Sequence, residues 1–254
     1  MLGLRPYPEM VAAQEELVSR RQDGEIDDVL LVLEHPPTYT RGRRTEPDDL
    51  HRPADWYRGR GIEVFDTPRG GRVTYHGPGQ LVAYAIVDLT GIGAQPGGAA
   101  RADVALFVGS LESALERTAA RWQVAAGTID GLTGIWTGDG DAIPPGADAT
   151  TMAGPVGRGE VRKIGSIGLR VSRAVTSHGV SLNVDCDLEP FAGITSCGIE
   201  HCRVTSILAE TGSAPSVPAA GLAFAEELSE LLGRDTVIIA PEDVGISPAA
   251  SANP

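Results

Sequence analysis

Lys163 is the only lysine among the 21 basic residues of this 254-residue chain; the other 20 are arginines. Both types carry positive charge at neutral pH, but only lysine gives up its proton in a protein. A lysine kept where arginine supplies charge everywhere else is a candidate for proton transfer, although a chance survivor would read the same way. The second reactive type is cysteine, at Cys186, Cys197 and Cys202. An odd count in a chain without a secretory start is not a disulfide framework. Cys197 lies in Thr195-Ser196-Cys197-Gly198-Ile199, small residues that predict a turn with an accessible thiol beside free backbone N–H groups. Such a thiol becomes a nucleophile once something makes it a thiolate; the alternative is a buried structural cysteine. Cys186 stands between Asp185 and Asp187, whose charges disfavour a thiolate, so it is expected to be inert.

Other chemistries find less support. A Walker-type phosphate loop ends in Gly-Lys-Ser/Thr, whereas the one lysine sits in Arg162-Lys163-Ile164. Gly91-Ile92-Gly93 does not continue into a dinucleotide fingerprint. His178, Cys186, Cys197, His201 and Cys202 lack the spacing of common zinc ligands, so no metal is expected. Thirty-four acidic residues against 21 basic ones give a net charge of −13, opposite to the footprint of a nucleic-acid binder. No apolar run approaches the roughly 18 residues of a membrane span. The start, Met1 to Pro6, does not resemble a secretory signal. A cytoplasmic protein is expected, with neither membrane nor nucleic acid as partner.

These residues need elements to hold them. A hydrophobic share of 42% is that of an ordinary globular domain, and 32 glycines with 18 prolines make it rich in loops. Residues 8–22 carry helical spacing at Met10, Ala13 and Leu17, and Val29–Leu33 reads as a buried strand. The paired prolines of His35–Arg44 predict a loop. A short strand at Ile62–Phe65 and a turn at Arg69-Gly70-Gly71 lead into a strand at Arg72–His76. Alternation there puts Arg72, Thr74 and His76 on one face, Val73 and Tyr75 on the other. Leu81–Val87 predicts a central strand covered on both faces. After a Gly/Pro loop at 91–98, the strongest helix runs from Val104 to Trp122, with Glu112, Glu116 and Arg117 facing out. Strands are expected at 161–171 and 174–184, and a second helix at Phe224–Leu232. The expected fold is α/β in the α+β sense, a single domain over residues 1–239 with a mixed sheet flanked by helices. Residues 138–160 read as a mobile insert and 240–254 as a flexible tail.

The run from Arg69 to Gln80, RGGRVTYHGPGQ, resembles the signature of the lipoyl(octanoyl) transferases of the lipoate-protein ligase B family. Further segments agree in order and spacing: Glu34–Thr40, Lys163–Arg170, His178–Asp185, and Cys197-Gly198-Ile199 followed by Val204–Ile207. The similarity spans roughly residues 10–235 and implies the fold shared by lipoate ligases and biotin protein ligases. It departs at Ser196, where the family usually has proline before the cysteine, and in the insert at 138–160, longer than is typical.

By this resemblance Cys197 is the nucleophile that carries the acyl group as a thioester, and Lys163 lowers its pKa. A cation about 4 Å from a thiolate at an effective dielectric near 20 is worth about 4 kcal/mol. That is roughly three pKa units, enough to take a thiol near 8.5 below neutrality. Arginine would supply the field but not the proton relay. The resemblance also implies an acyl-binding site built from Arg69, Gly70, Gly71, Arg72, Val73, Thr74, Tyr75 and His76. Ser166, Ile167 and Gly168, with Gly179, Val180 and Ser181, complete it. His76 is as readily a satisfied structural histidine, and Tyr75, on the opposite face, as readily core. The implied reaction moves octanoyl from octanoyl-acyl carrier protein to a lysine of lipoyl domains, those of 2-oxoacid dehydrogenase complexes and of the glycine cleavage H protein. It is the first step of endogenous lipoate biosynthesis and needs no cofactor. The rivals are an ATP-dependent lipoate or biotin ligase, an amidotransferase between lipoyl domains, and a non-catalytic carrier-binding module. Carrier proteins are acidic, so the eight arginines against six acids in residues 41–72 are the expected docking patch.

Overall fold

The run from Gln80 to Ile86 is buried at every residue and lies second from the edge of a six-stranded sheet. The computed structural model describes residues 1–90, 92, 102–138, 143, 161–195 and 202–247. In chain order the strands are β1 (Val29–Leu33), β2 (Thr38–Arg41), β3 (Glu63–Asp66), β4 (Val73–His76) and β5 (Gln80–Ile86). β6 (Ala126–Ile129), β7 (Leu132–Thr137), β8 (Arg162–Ser172) and β9 (Val175–Asn183) follow. The helices are α1 (Tyr7–Gln22), α2 (Ala54–Arg58), α3 (Val104–Ala120), α4 (Ile207–Thr211) and α5 (Val217–Leu232). The large sheet runs β1-β5-β9-β8-β7-β6, each neighbouring pair antiparallel. A small sheet, β3-β2-β4, pairs β2 parallel with β3 and antiparallel with β4. The class is α+β, as expected.

Along β5 the two faces alternate. Leu81, Ala83 and Ala85 share a core with Phe107 and Leu111 of α3 and Phe224 of α5. Val82, Tyr84 and Ile86 share another with Met10 and Leu17 of α1. Covering both faces is what the uncharged run required. The small sheet has its own core, in which Tyr39, Tyr57, Val73, Tyr75 and Phe191 pack together.

The structure corrects several expectations. The stretch assigned to loop by its prolines contains β2, because Pro36 and Pro37 end just before the strand and Thr38, Tyr39 and Thr40 are all buried. The last long helix begins at Val217, not Phe224, capped by Ser216 with a proline in its first turn. Its opening turns are small residues, so hydrophobic spacing did not reveal them. Pro241–Val244 forms a 3-10 turn within the supposed tail, and Val244 and Ile246 are buried in the α1 core. Most of the loop at 91–98, and all of the insert at 138–160 except residues 138 and 143, lie outside the described residues. Among the described residues no helix is long and apolar enough to cross a membrane.

Where β5 and β9 meet, Gly179 pairs with Tyr84, and a Cβ there would collide with the Ala83 carbonyl. Backbone cannot move aside as a side chain can. Gly179→Ala is therefore expected to cost about 3 kcal/mol, seen as a thermal midpoint lower by roughly 6–12 °C. Gly109→Ala, in α3 with open space around it, should leave stability unchanged or raise it by up to about 1 kcal/mol.

Candidate active site

Lys163 stands near the start of β8, and the position of its side chain depends on a defect in the ladder. β8 pairs Gly165 with Ile135 but Lys163 with Trp136, so Ile164 is an extra residue. Such a bulge reverses which face later residues occupy. Ile164 joins the core under α3 and α5, while Lys163 lines the same cleft as Ser166 and Gly168. Simple alternation would have placed Lys163 with Ile167, on the helix side. The side chain is 3% exposed. Its Nζ donates to the Thr133 carbonyl at 3.0 Å and lies 4.9 Å from the centre of the Trp136 ring, a cation–π contact that suits a desolvated ammonium.

The cleft lies between the two sheets. Val82 and Tyr84 of β5, Ser166 to Gly168 of β8 and Gly179 to Ser181 of β9 form one side. Arg69, Gly71, Arg72, Val73, Thr74 and His76 form the other, with Tyr7 from α1. Every residue expected at the acyl site except Gly70 and Tyr75 therefore lines it among those described. Gly70 instead donates its N–H to the Leu169 carbonyl at 2.7 Å, fastening the loop to β8. Tyr75 packs between Tyr39 and Phe191, in the core of the small sheet. Arg69 is buried and spends its guanidinium on Thr40, donating to the carbonyl at 2.7 Å and to Oγ1 at 2.8 Å. It shapes the loop.

Sequence reasoning missed Tyr7, Tyr84 and His178 on this wall and His35 behind it. His178 belongs by alternation with Val180 and Leu182 on the helix side. Its φ of +60° turns the ring to the cleft instead, in the left-handed region that histidine tolerates better than most residues. Its N–H is held by Gln14 Oε1 at 2.6 Å. Only the fold reveals such a turn.

Hydrogen bonds fix where the protons of this wall sit. The Asn183 amide donates to the Thr205 carbonyl at 2.8 Å, so Asn183 Oδ1 accepts from Gln80 Nε2 at 2.9 Å. Gln80 Oε1 is then left to accept from His76 Nδ1 at 2.7 Å. His35 Nδ1 lies 2.6 Å from the Arg5 carbonyl and must carry its proton there, leaving Nε2 to accept from the Tyr84 hydroxyl at 2.6 Å. Tyr7 donates to Thr67 Oγ1 at 2.9 Å. The donors of Tyr7, Tyr84, His76, Gln80 and Asn183 are thus turned into the protein. Burial holds the rings neutral: it lowers His35 and His178 to about 4, and His76 to about 3 with help from His35. The result is a groove of ring faces and carbon beside one ammonium, suited to an apolar chain with a reactive head.

Cys197 lies outside the described residues, but both flanks of its segment are anchored. Thr195 N–H bonds the Asp49 carbonyl at 2.9 Å, and Asp49 in turn binds Arg72 of the cleft at 2.6 Å. On the far side, Lys163 N–H bonds the Arg203 carbonyl at 2.8 Å and Thr205 N–H bonds the Lys163 carbonyl at 2.9 Å. Cys186 is buried, and burial, then Asp185, push its thiol up to about 12.

The profile of the lipoyl protein ligase A/B catalytic domain matches residues 6–229. An octanoyltransferase of Mycobacterium sp. (strain KMS) is 41% identical over 251 residues, 98% of this chain and 92% of that one. An octanoyltransferase of Mycobacterium tuberculosis is 42% identical over 216 residues, 85% of this chain and 78% of that one. Among solved structures, lipoate-protein ligase A bound with ATP superposes with a TM-score of 0.63 at 15% identity, over 95% of this chain and 89% of that one. The bi-partite lipoate protein ligase of Thermoplasma acidophilum gives 0.62 at 15% identity, over 96% and 88%. At such identity the likeness is one of fold.

The neutral histidines set a pH dependence. Their folded pKa values lie below the ordinary value near 6.5, so above that pH neither state gains protons. As pH falls below it, the unfolded chain binds protons that the folded rings refuse, and stability is lost down to about pH 3–4. For one ring depressed to 4, the loss at pH 5.5 is about 1.4 kcal/mol. Burial raises Glu112 and Glu116, which act in the opposite sense and only nearer the carboxylate range. Denaturant midpoints at pH 7.5 and 5.5 should differ by several kcal/mol of stability; equal midpoints would show that the rings are not held neutral.

Proposed function

The chain belongs to the lipoyl protein ligase A/B catalytic-domain family, and from that premise we propose that it is an octanoyltransferase acting through a thioester on Cys197. Octanoyl passes from octanoyl-acyl carrier protein to Cys197 and then to a lysine of a lipoyl domain. The observation that carries the reading is the lone lysine, buried beside a groove whose Tyr7, Tyr84, His76 and Arg69 side chains are held by hydrogen bonds within the protein. In the first half, the Cys197 thiolate attacks the donor thioester, a new C–S bond forms and the old one breaks. The departing carrier thiolate takes a proton from the Lys163 ammonium. In the second half, the neutral amine of the acceptor attacks the acyl-enzyme, a C–N bond forms and the bond to Cys197 breaks. Lys163, now neutral, takes the proton the amide sheds, and the ammonium–thiolate pair is restored. Exchange between thioesters is nearly balanced and conversion to an amide runs downhill, so no ATP is required. Intact mass and peptide mapping after incubation with octanoyl-carrier protein test this. Octanoyl is expected on Cys197 alone; finding it on Cys186 or Cys202, or needing ATP for transfer, would overturn the assignment.

The structure narrows the expected docking patch. Arg41 pairs with Asp66 at 2.7 Å, Arg58 with Asp55 at 2.6 Å, and Arg72 with Asp49 and Glu46 at 2.6 and 2.7 Å. Arg60 stacks on Trp56, and Arg69 is buried. Arg43 and Arg44 are exposed, and their backbone N–H groups bond the carbonyls of Arg69 and Gly71 at 3.0 and 3.1 Å, which sets them at the rim of the cleft. An acidic carrier protein drawn to this rim would feel it over about a Debye length, roughly 10 Å at 0.1 M salt. Arg43→Glu with Arg44→Glu should raise the KM for octanoyl-carrier protein several-fold and leave a small octanoyl thioester unaffected. Equal loss with both donors would mean that the pair shapes the cleft.

A further inference from the structure

We infer that Glu112 is a positioning residue for Lys163, acting on its ammonium through the peptide group between Thr133 and Gly134. The inference rests on the role given to Lys163 above. Glu112 Oε1 accepts the Gly134 N–H at 3.0 Å, and the Thr133 carbonyl accepts from Lys163 Nζ at 3.0 Å. These are the two ends of one peptide unit. A carboxylate on the N–H end polarises the amide and makes its oxygen a stronger acceptor for a cation. The same contact fixes the plane of the peptide and so the place of the ammonium.

Three observations argue that this arrangement is built. Gly134 has φ +115°, open only to glycine, and a Cβ there would stand 2.5 Å from the Gly165 carbonyl oxygen and 3.0 Å from Lys163 Cε. The peptide thus passes between α3 and β8 with no room to spare. On hydrophobic spacing α3 should turn Glu112 to solvent, yet it is half-buried. The groups that act on it pull in opposite directions: burial pushes its carboxyl up, and the Gly134 N–H and Lys163 hold it down. Glu116, one turn along the same helix, is the like charge beside it.

A bond from α3 to β7 also ties helix to sheet, so the test must separate geometry from charge. The full chain is acylated by a small octanoyl thioester across a pH series, as wild type, Glu112→Gln, Glu112→Ala and Lys163→Ala. Glu112→Ala should lower the acylation rate about tenfold while the KM for the thioester stays within about twofold. Glu112→Gln keeps an oxygen for the Gly134 N–H, so it should recover most of the rate at neutral pH. Its basic limb should nevertheless move down by about half to one pH unit, because the ammonium loses a nearby negative charge. An unmoved basic limb in Glu112→Gln overturns the inference, even if Glu112→Ala melts earlier, since a purely structural tie would behave that way. Lys163→Ala reports separately: wild-type rates there would sink the role of the lysine itself, whereas a dead Lys163→Ala beside normal Glu112 variants would sink only the part given to Glu112.

Discussion

An ammonium taken out of water must be solvated again by the protein, and much of this structure is the arrangement that does so at Lys163. The Thr133 carbonyl supplies one partner and the Trp136 ring a second. Glu112 adds a negative charge across one peptide. None of these would meet the lysine without the extra residue at Ile164, which turns β8 so that Lys163 and Ser166 share the cleft. Gly134 is the counterpart on β7, since a side chain there would occupy the lysine's own space.

The cleft next to that charge is quiet for a different reason. It holds histidines, tyrosines and two arginines, yet their polar atoms are mostly engaged with other side chains or with backbone. The chain from Thr205 through Asn183 and Gln80 to His76 begins at a carbonyl that can only accept, and that constraint fixes each orientation after it. Thr205 is also hydrogen-bonded to the backbone of Lys163. The strand that carries Lys163 and the wall of the groove are thus parts of one network. A groove so organised presents aromatic faces to a ligand, and the arginines that line it are bound to Asp49 and Thr40.

Two sheets meet to make the site, and the joints between them are polar. Arg69 crosses from its loop to Thr40 of β2, Gly70 fastens the same loop to β8, and Asp49 ties Arg72 to Thr195. The first two joints remove freedom from a glycine-rich loop whose backbone has few side chains to pack it. The price of such loops is conformational entropy, and these bonds are where the fold offsets it.

The candidate reactive residues could be named from the sequence, and much of the scaffold was legible in it, because their signals are local. A solitary lysine, a cysteine among small residues, and the RGGRVTYHGPGQ run can be read without knowing what lies opposite. The same holds for the doubly buried strand at β5 and the amphipathic pattern of α3. Local signals failed at β2, where two prolines argued for loop, at the small-residue start of α5, and at Glu112, which a contact to β7 turns inward from the supposed outer face. Tertiary structure alone decided which way Lys163 and His178 point, since a bulge and a left-handed φ each reverse the face that alternation assigns. It also decided which arginines near the rim are spent in ion pairs and which stay exposed, because partners far apart in sequence meet only after the two sheets have packed.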